Sequence, residues 1–452
     1  MISQTEHNLL NASIWEKLNW TWAHNFILIQ FTLQLLLLIP QIGLIRIPMR
    51  IATFALSLFL LVKLKPEGNK HPATNPALIV MAILVLELSL HPQINSITAG
   101  LAECAIYLAI LSPLFWARGL KITQVGFNSL IFLMWGIHTL SSCFGVLQMY
   151  FPGKFQPSLS TVIKNSTYGG DNLLITLANG VQVYRPTGLT DAPGGAATAG
   201  FYALLFGVVI AIKYKNPILR IAGITSGGIG LFCIYLSQVR SVLVLAAISM
   251  ILLAVVLIRT AQIARLTMMV SSVTALFIAT FSWAVAIGGQ STLKRITSLF
   301  AGSANQVYQE NRGHFLQDTI NDLLPKYPLG AGLGRWGMMN NYFGDNTYLE
   351  SQPIWVEIQW TGWLLDGGVP LIFAYVAALY FACITAWKIA INRKLGDFSL
   401  WGGLVFAYNL GAIAITFNYP IFNSQGGMEL WLLNGALFAA ANNIKNDKLS
   451  TT

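Results

Sequence analysis

Residues 311–339 read NRGHFLQDTINDLLPKYPLGAGLGRWGMM, and residues 354–370 read IWVEIQWTGWLLDGGVP. The first is the tail of a polar loop; the second runs into a hydrophobic helix. Arg312, Glu357 and Asp366 sit here in a chain that otherwise avoids charge. Hydrophobic residues make up 55%, charged residues 10%, and the mean hydropathy is +0.61. A soluble domain carries about 25% charged residues. That deficit, with repeated apolar runs of about 20 residues, defines a polytopic helical membrane protein. The spans on either side of this stretch hold it at one face of a bilayer.

Working outward, apolar runs fall near 26–45, 48–64, 76–91, 95–117, 127–150, 195–213, 217–237, 241–258, 266–288, 360–388, 398–418 and 428–443. The expected fold is therefore all-α, with about twelve transmembrane helices and two long loops. Residues 1–25 form an interfacial lead-in with Trp15, Trp20 and Trp22, since indole prefers the headgroup level. Helices 1–5 occupy 26–150, a first loop 151–194, helices 6–9 195–288, and a second loop 289–358. Helices 10–12 and a tail fill 359–452.

The formal charge of +10 could suggest nucleic acid. Basic turns between spans are the plainer cause, and no nucleic-acid partner is expected. With the N-terminus cytoplasmic, the inner turns collect Lys63, Lys65, Lys70, Arg118, Lys121, Lys213, Lys215, Arg220, Arg259, Arg265, Lys388, Arg393 and Lys394, and the C-terminal tail carries Lys445 and Lys448. Only Arg46 and Arg50 fall at the outer ends of the first hairpin. Both long loops are then extracytoplasmic. The second loop predicts an amphipathic helix, because Phe315, Leu316, Ile320, Leu323 and Leu324 recur at helical spacing before Pro325 and Pro328.

The charged groups at the outer face are the candidates for chemistry. Arg185, Arg240, Arg312 and Arg335 could hold phosphate oxygens through paired donors and stay charged at any relevant pH. The alternative for each is snorkelling to a lipid headgroup. Glu357 and Asp366 lie nine residues apart, about two and a half helical turns. Either could act as a general base on a hydroxyl group, or pair with an arginine. Glu87 and Glu103 also fall within spans, and could pair with each other or with His91.

Other patterns exclude chemistry. Cys104, Cys143, Cys233 and Cys383 lie in apolar stretches without a CxxC, which argues against a disulfide framework or a zinc site. No HxxxH, HExxH or DxD occurs, so no metal is expected, and no cofactor. Gly330, Gly332 and Gly334 follow no strand, and read as a tight turn rather than a dinucleotide loop. The N-terminus lacks the layout of a cleaved signal peptide.

Four segments resemble the O-antigen ligase and polymerase family over about 185–375. NRGHFLQDTINDLLPKYPLGAGLGRW is similar to its loop, LSQVRSVLVLAA to its Ser-Arg segment, YRPTGLTDAPGGAA to its Arg-x-x-Gly segment, and WVEIQWTGWLLDGGVPL to its entry into the following span. The resemblance implies a GT-C-like membrane glycosyltransferase in the bacterial inner (plasma) membrane, working on the periplasmic face. Its donor would be an undecaprenyl-pyrophosphate-linked glycan. Its partners would be a glycan acceptor, the bilayer, and a chain-length regulator or flippase. Arg185 and Arg240 match the arginines that hold the pyrophosphate, with Arg312 matching the loop arginine in the inverted order Arg312-Gly313. Glu357 stands where many ligases carry the His of a His-Asn pair. That departure favours a polymerase over a ligase. The rival class is a lipid-linked glycan transporter or flippase, although no matching halves are visible in the sequence. A non-enzymatic assembly scaffold explains the outer arginines poorly.

Overall fold

The computed structural model describes residues 19–39, 45–65, 67–94, 96–157, 173–190, 194–297, 306, 308–309, 313–345 and 354–450. Among them, twelve helices have sixteen residues or more: α1 Trp22–Leu37, α2 Arg46–Lys63, α3 Thr74–Leu90, α4 Ile97–Trp116, α5 Gln124–Tyr150, α6 Gly195–Lys213, α7 Pro217–Ser237, α8 Arg240–Arg259, α9 Ile263–Thr297, α10 Gln359–Ala390, α11 Ser399–Ile415 and α12 Gln425–Ser450. Each overlaps one apolar run. Among the described residues, eight helical stretches are long and apolar enough to cross a membrane, so the chain is a helical membrane protein. α1 and α3 are apolar but shorter, and α2 carries Arg46, Arg50 and Lys63.

One element departs from an all-α chain. Strands β1 (Leu174–Thr176) and β2 (Gln182–Tyr184) form an antiparallel pair in the first long loop, with Ile175 opposite Val183. The Ala178 N–H donates to the Ile287 carbonyl at 3.1 Å, which docks this hairpin on α9. Three-residue strands around a polar turn carry too little alternation to be read from sequence.

The helices run up and down, so that connections alternate between two ends. At one end, α6 starts beside the end of α7, Gln148 near the end of α5 binds residues 187–188, and Thr416 after α11 accepts from the first N–H of α10. At the other, Lys213 at the end of α6 donates to the Asp397 carbonyl at 2.9 Å, and Arg265 pairs with the Asp397 carboxylate at 2.7 Å. This second end carries the basic turns and the C-terminus of α12. The first carries both long loops.

Arg46, an exception in the charge pattern, keeps its place at the loop end. Its Nη2 donates to the Leu37 carbonyl at 2.7 Å, satisfying an orphan acceptor where α1 stops.

Close helix contact comes from small residues, as expected where lipid removes the hydrophobic drive between helices. α6 and α7 meet through two reciprocal glycine pairs. A Cβ on Gly200 would stand 2.5 Å from the Gly230 carbonyl oxygen, and one on Gly207 2.5 Å from that of Gly223. The core between the helices is aromatic, with Trp116, Trp363, Trp401 and Trp431 all fully buried.

Candidate functional site

α10 is broken. Gly367 and Gly368 leave helical geometry, with Gly368 at φ +63°, directly after Asp366. A break inside an apolar helix strips backbone groups of their partners, and in lipid these must be satisfied by protein. The Pro-Leu-Gly-Ala-Gly-Leu-Gly stretch does this. The Ala331 N–H donates to the Leu365 carbonyl at 2.7 Å, and the Val369 N–H donates to the Pro328 carbonyl at 2.9 Å. Gly330, Gly332 and Gly334 all have positive φ, as a tight turn requires. The turn wedges between α10, the end of α3 and the start of α4. Ala331 and Leu333 are fully buried.

Asp366 sits at this junction, fully buried. The Tyr107 hydroxyl on α4 donates to its Oδ2 at 2.7 Å, and the Trp336 indole N–H donates to Oδ1 at 2.9 Å. The acid therefore fixes the residue next to Arg335. Arg335 is itself buried, 6% exposed, and its Nη1 donates to the Ala331 carbonyl at 3.3 Å within its own turn. The Arg335 carbonyl accepts from the Ile354 N–H at 2.9 Å. That bond brings in the segment carrying Glu357, which is half-buried. Glu357 lies in extended chain just before α10 starts at Gln359. The helical spacing expected between Glu357 and Asp366 does not apply, because the helix begins after Glu357.

The other acids of α3 and α4 flank the same junction. Glu103 is fully buried, and its Oε1 accepts from Asn423 at 2.9 Å. Its Oε2 has no protein partner among the described residues. Glu87 lies 4.0 Å from the His91 Nε2, and that nitrogen is 3.2 Å from the Gly330 carbonyl. Of the partners expected for Glu87, His91 is the one observed.

Arg185 and Arg240 meet the loop end by another route. Arg185 follows β2, and its N–H donates to the Leu173 carbonyl at 2.9 Å. The next residues are clamped by Gln148 of α5, whose Oε1 accepts from the N–H groups of Thr187 and Gly188, both at 2.9 Å. Pro186 accepts from the Gly194 N–H at 3.1 Å, and a Cβ on Gly194 would stand 3.3 Å from Val239. Arg240 is the next residue and opens α8. The backbones bearing the two arginines thus converge at the start of α6. Arg312 lies outside the described residues.

The loop helix expected at 315–324 is present at 314–326, with a wider turn over Thr319–Leu323. Its anchor differs from the apolar stripe read from sequence. Thr319 is the buried residue, its hydroxyl 2.6 Å from that of Thr361 on α10, while Ile320 is 52% exposed. An apolar groove of about 210 Å³ between α10 and α11 is lined by Trp360, Trp363, Leu379, Cys383, Leu410 and Ile413, among others. Sequence reasoning missed Gln148 and the pairing of Asp366 with Tyr107 and Trp336. A glutamine near a helix end and a tyrosine in an apolar run carry no pattern that singles them out. No protein-family model matches the chain, and neither does any curated protein.

Proposed function

We propose that this chain is a membrane glycosyltransferase that polymerises undecaprenyl-pyrophosphate-linked repeat units into a surface polysaccharide. It would have about twelve spans in a GT-C-like arrangement, lie in a bacterial plasma membrane, and work on the extracytoplasmic face. The observation that carries this reading is that two groups, Arg185 with Arg240 and Arg335 with Glu357 and Asp366, lie at the end of the bundle that holds both long loops. The basic turns lie at the opposite end, which the charge bias assigns to the cytoplasm.

In the proposed reaction an acceptor sugar hydroxyl attacks the anomeric carbon of the donor. The new carbon–oxygen bond forms as the bond from that carbon to the lipid pyrophosphate breaks. Glu357 takes the hydroxyl proton, and Arg185 and Arg240 stabilise the charge that collects on the departing pyrophosphate. Asp366 works indirectly, holding Trp336 and hence the turn that carries Arg335. The apolar groove beside Trp360 and Trp363 suits the isoprenoid tail of such a donor. The ligase alternative uses the same donor and a different acceptor; Glu357 in place of a histidine speaks for the polymerase.

A second reading, a transporter of lipid-linked glycans, is favoured by the break in α10 beside a buried acid, a feature of transporter substrate sites. Here the break is sealed by residues 328–331 rather than left facing a cavity. The test is Arg240→Ala and Glu357→Gln in cells that make the polymer. Both are expected to collapse the chain-length ladder to single units. Normal ladders in both would refute the assignment. Uptake of a lipid-linked glycan by proteoliposomes without product growth would establish the transporter.

A further inference from the structure

We infer that Glu429 and His138 form a proton-binding site in the middle of the bundle, separate from the loop-end residues and independent of the glycan-transfer reading. Glu429 lies on α12 and is 9% exposed. Its Oε2 is 3.8 Å from the His138 Nε2 on α5, and its Oε1 accepts from the Gln30 Nε2 on α1 at 3.0 Å. The His138 ring stacks on Tyr202 of α6 with centroids 4.2 Å apart. The Tyr202 hydroxyl lies 2.6 Å from that of Tyr408 on α11.

Among the described residues, the groups facing Glu429 from the helices around it are Gln30, His138, Tyr202 and Tyr408. None is a lysine or arginine. A carboxylate held among apolar helices with only neutral donors is far costlier than a carboxylic acid, or than a carboxylate beside an imidazolium. One proton resolves the conflict, either on Glu429 or shared with His138. Intramembrane ionisable groups of this kind are functional by default.

Gln30 supplies an independent observation. It is 2% exposed, and its Oε1 is buried with no protein partner among the described residues. In the orientation seen, its amide N–H serves an ionised Glu429. Turned over, the amide presents Oε1 to the O–H of a protonated Glu429, so one side chain serves both states. Polar side chains continue toward the loop end. Gln34 donates to Gln425, Gln30 lies 3.3 Å from the same Gln425 oxygen, and Gln425 donates to the Thr53 hydroxyl at 3.2 Å. Gln34 and Gln425 are half-buried, which gives a proton a polar route from the water at that end.

The test is infrared difference spectroscopy on the full-length protein in lipid nanodiscs, read across a pH titration. The wild type should show a carbonyl stretch of a buried carboxylic acid that comes and goes with pH. E429Q should lose the component of that band that Glu429 contributes, seen in the difference between wild type and variant, whatever the buried acids Glu103 and Asp366 add to both. Q30L, which keeps the acid but removes the amide, should keep the band and shift its titration midpoint. If E429Q fails to fold, the Q30L midpoint alone decides. An identical band in E429Q, or an unmoved midpoint in Q30L, overturns the proposal. Loss of the wild-type band on adding sodium or potassium ions at constant pH would also overturn it, since the site would then hold a metal cation.

Discussion

Gln148 shows how much of the loop end depends on one side chain. Its amide oxygen accepts two buried backbone N–H groups, and its Nε2 donates to the Gly188 carbonyl at 2.8 Å. In Gln148→Leu those backbone groups lose their partner. Leaving a buried donor unsatisfied costs about 1–3 kcal/mol. The variant should unfold at lower temperature in detergent, and should lose polymer as Arg185→Ala does, because Arg185 precedes the clamped residues. Full polymer with the expected fall in stability would show that the clamp does not place Arg185. His71 makes a different prediction, in the turn before α3. It is buried against Phe438, and its Nδ1 accepts from the Ala73 N–H at 3.0 Å. Burial lowers its pKa from 6.5 to about 3. The unfolded chain therefore takes up the proton first as pH falls. Stability from this group is complete above pH 6.5 and drains away toward pH 3. His71→Asn retains an acceptor and should flatten the fall in unfolding temperature over that window. At this scale the sequence reading reached the arginines and acids, because charge is rare in the chain. It missed Gln148, Gln30 and Glu429, whose importance comes from which distant residue each one touches.

Elements were far more legible. The runs at 195–213 and 217–237 coincide with α6 and α7 to the residue, since each is bounded by a turn with basic or polar residues. The run at 26–45 overshot; α1 stops at Leu37 and α2 starts at Arg46, with Pro40 between them. The break in α10 is passed over because hydropathy stays high through it, although Asp366-Gly367-Gly368 and Pro370 carry the breaker residues that mark it. Its cost can be measured with two glycines. Gly368 and Gly337 both have positive φ, +63° and +66°. A Cβ at Gly368 would lie 2.3 Å from the Pro328 carbonyl oxygen, whereas nothing lies within 4 Å at Gly337. Gly337→Ala should cost about 1–2 kcal/mol from backbone strain alone. Gly368→Ala adds the clash, and should destabilise more and expose 327–336 to protease. Equal effects in thermal unfolding would mean that the turn is not seated against the break.

For the whole molecule, charge and periodicity foretold a helical membrane protein whose basic turns gather at one end. Lys213, Arg265 and Asp397 meet at one end, and Gln148, Arg185 and Asn423 lie at the other. The sheet pair in the first loop, and the way 327–336 fills the break, depend on contacts between residues far apart in the chain, which periodicity does not report. The arrangement makes a topological prediction. Cysteines placed at Gly68 and Asn392 should react with an impermeant thiol reagent from one side of the membrane, and one at Asn179 from the other. The native thiols, of which Cys104, Cys233 and Cys383 are buried, should give little background. Labelling of all three positions from the same side would overturn the orientation of the long loops.

The hydrogen bonds from Ala331 to Leu365 and from Val369 to Pro328 limit how this protein can move. Withdrawing residues 328–331 would leave bare peptide groups facing hydrocarbon, so that segment is no swinging lid but a fixed plug. Movement around the loop end is left to the helix upstream of Tyr327, which is held to α10 by a hydroxyl pair between Thr319 and Thr361 and by half-buried side chains such as Leu316 and Leu323.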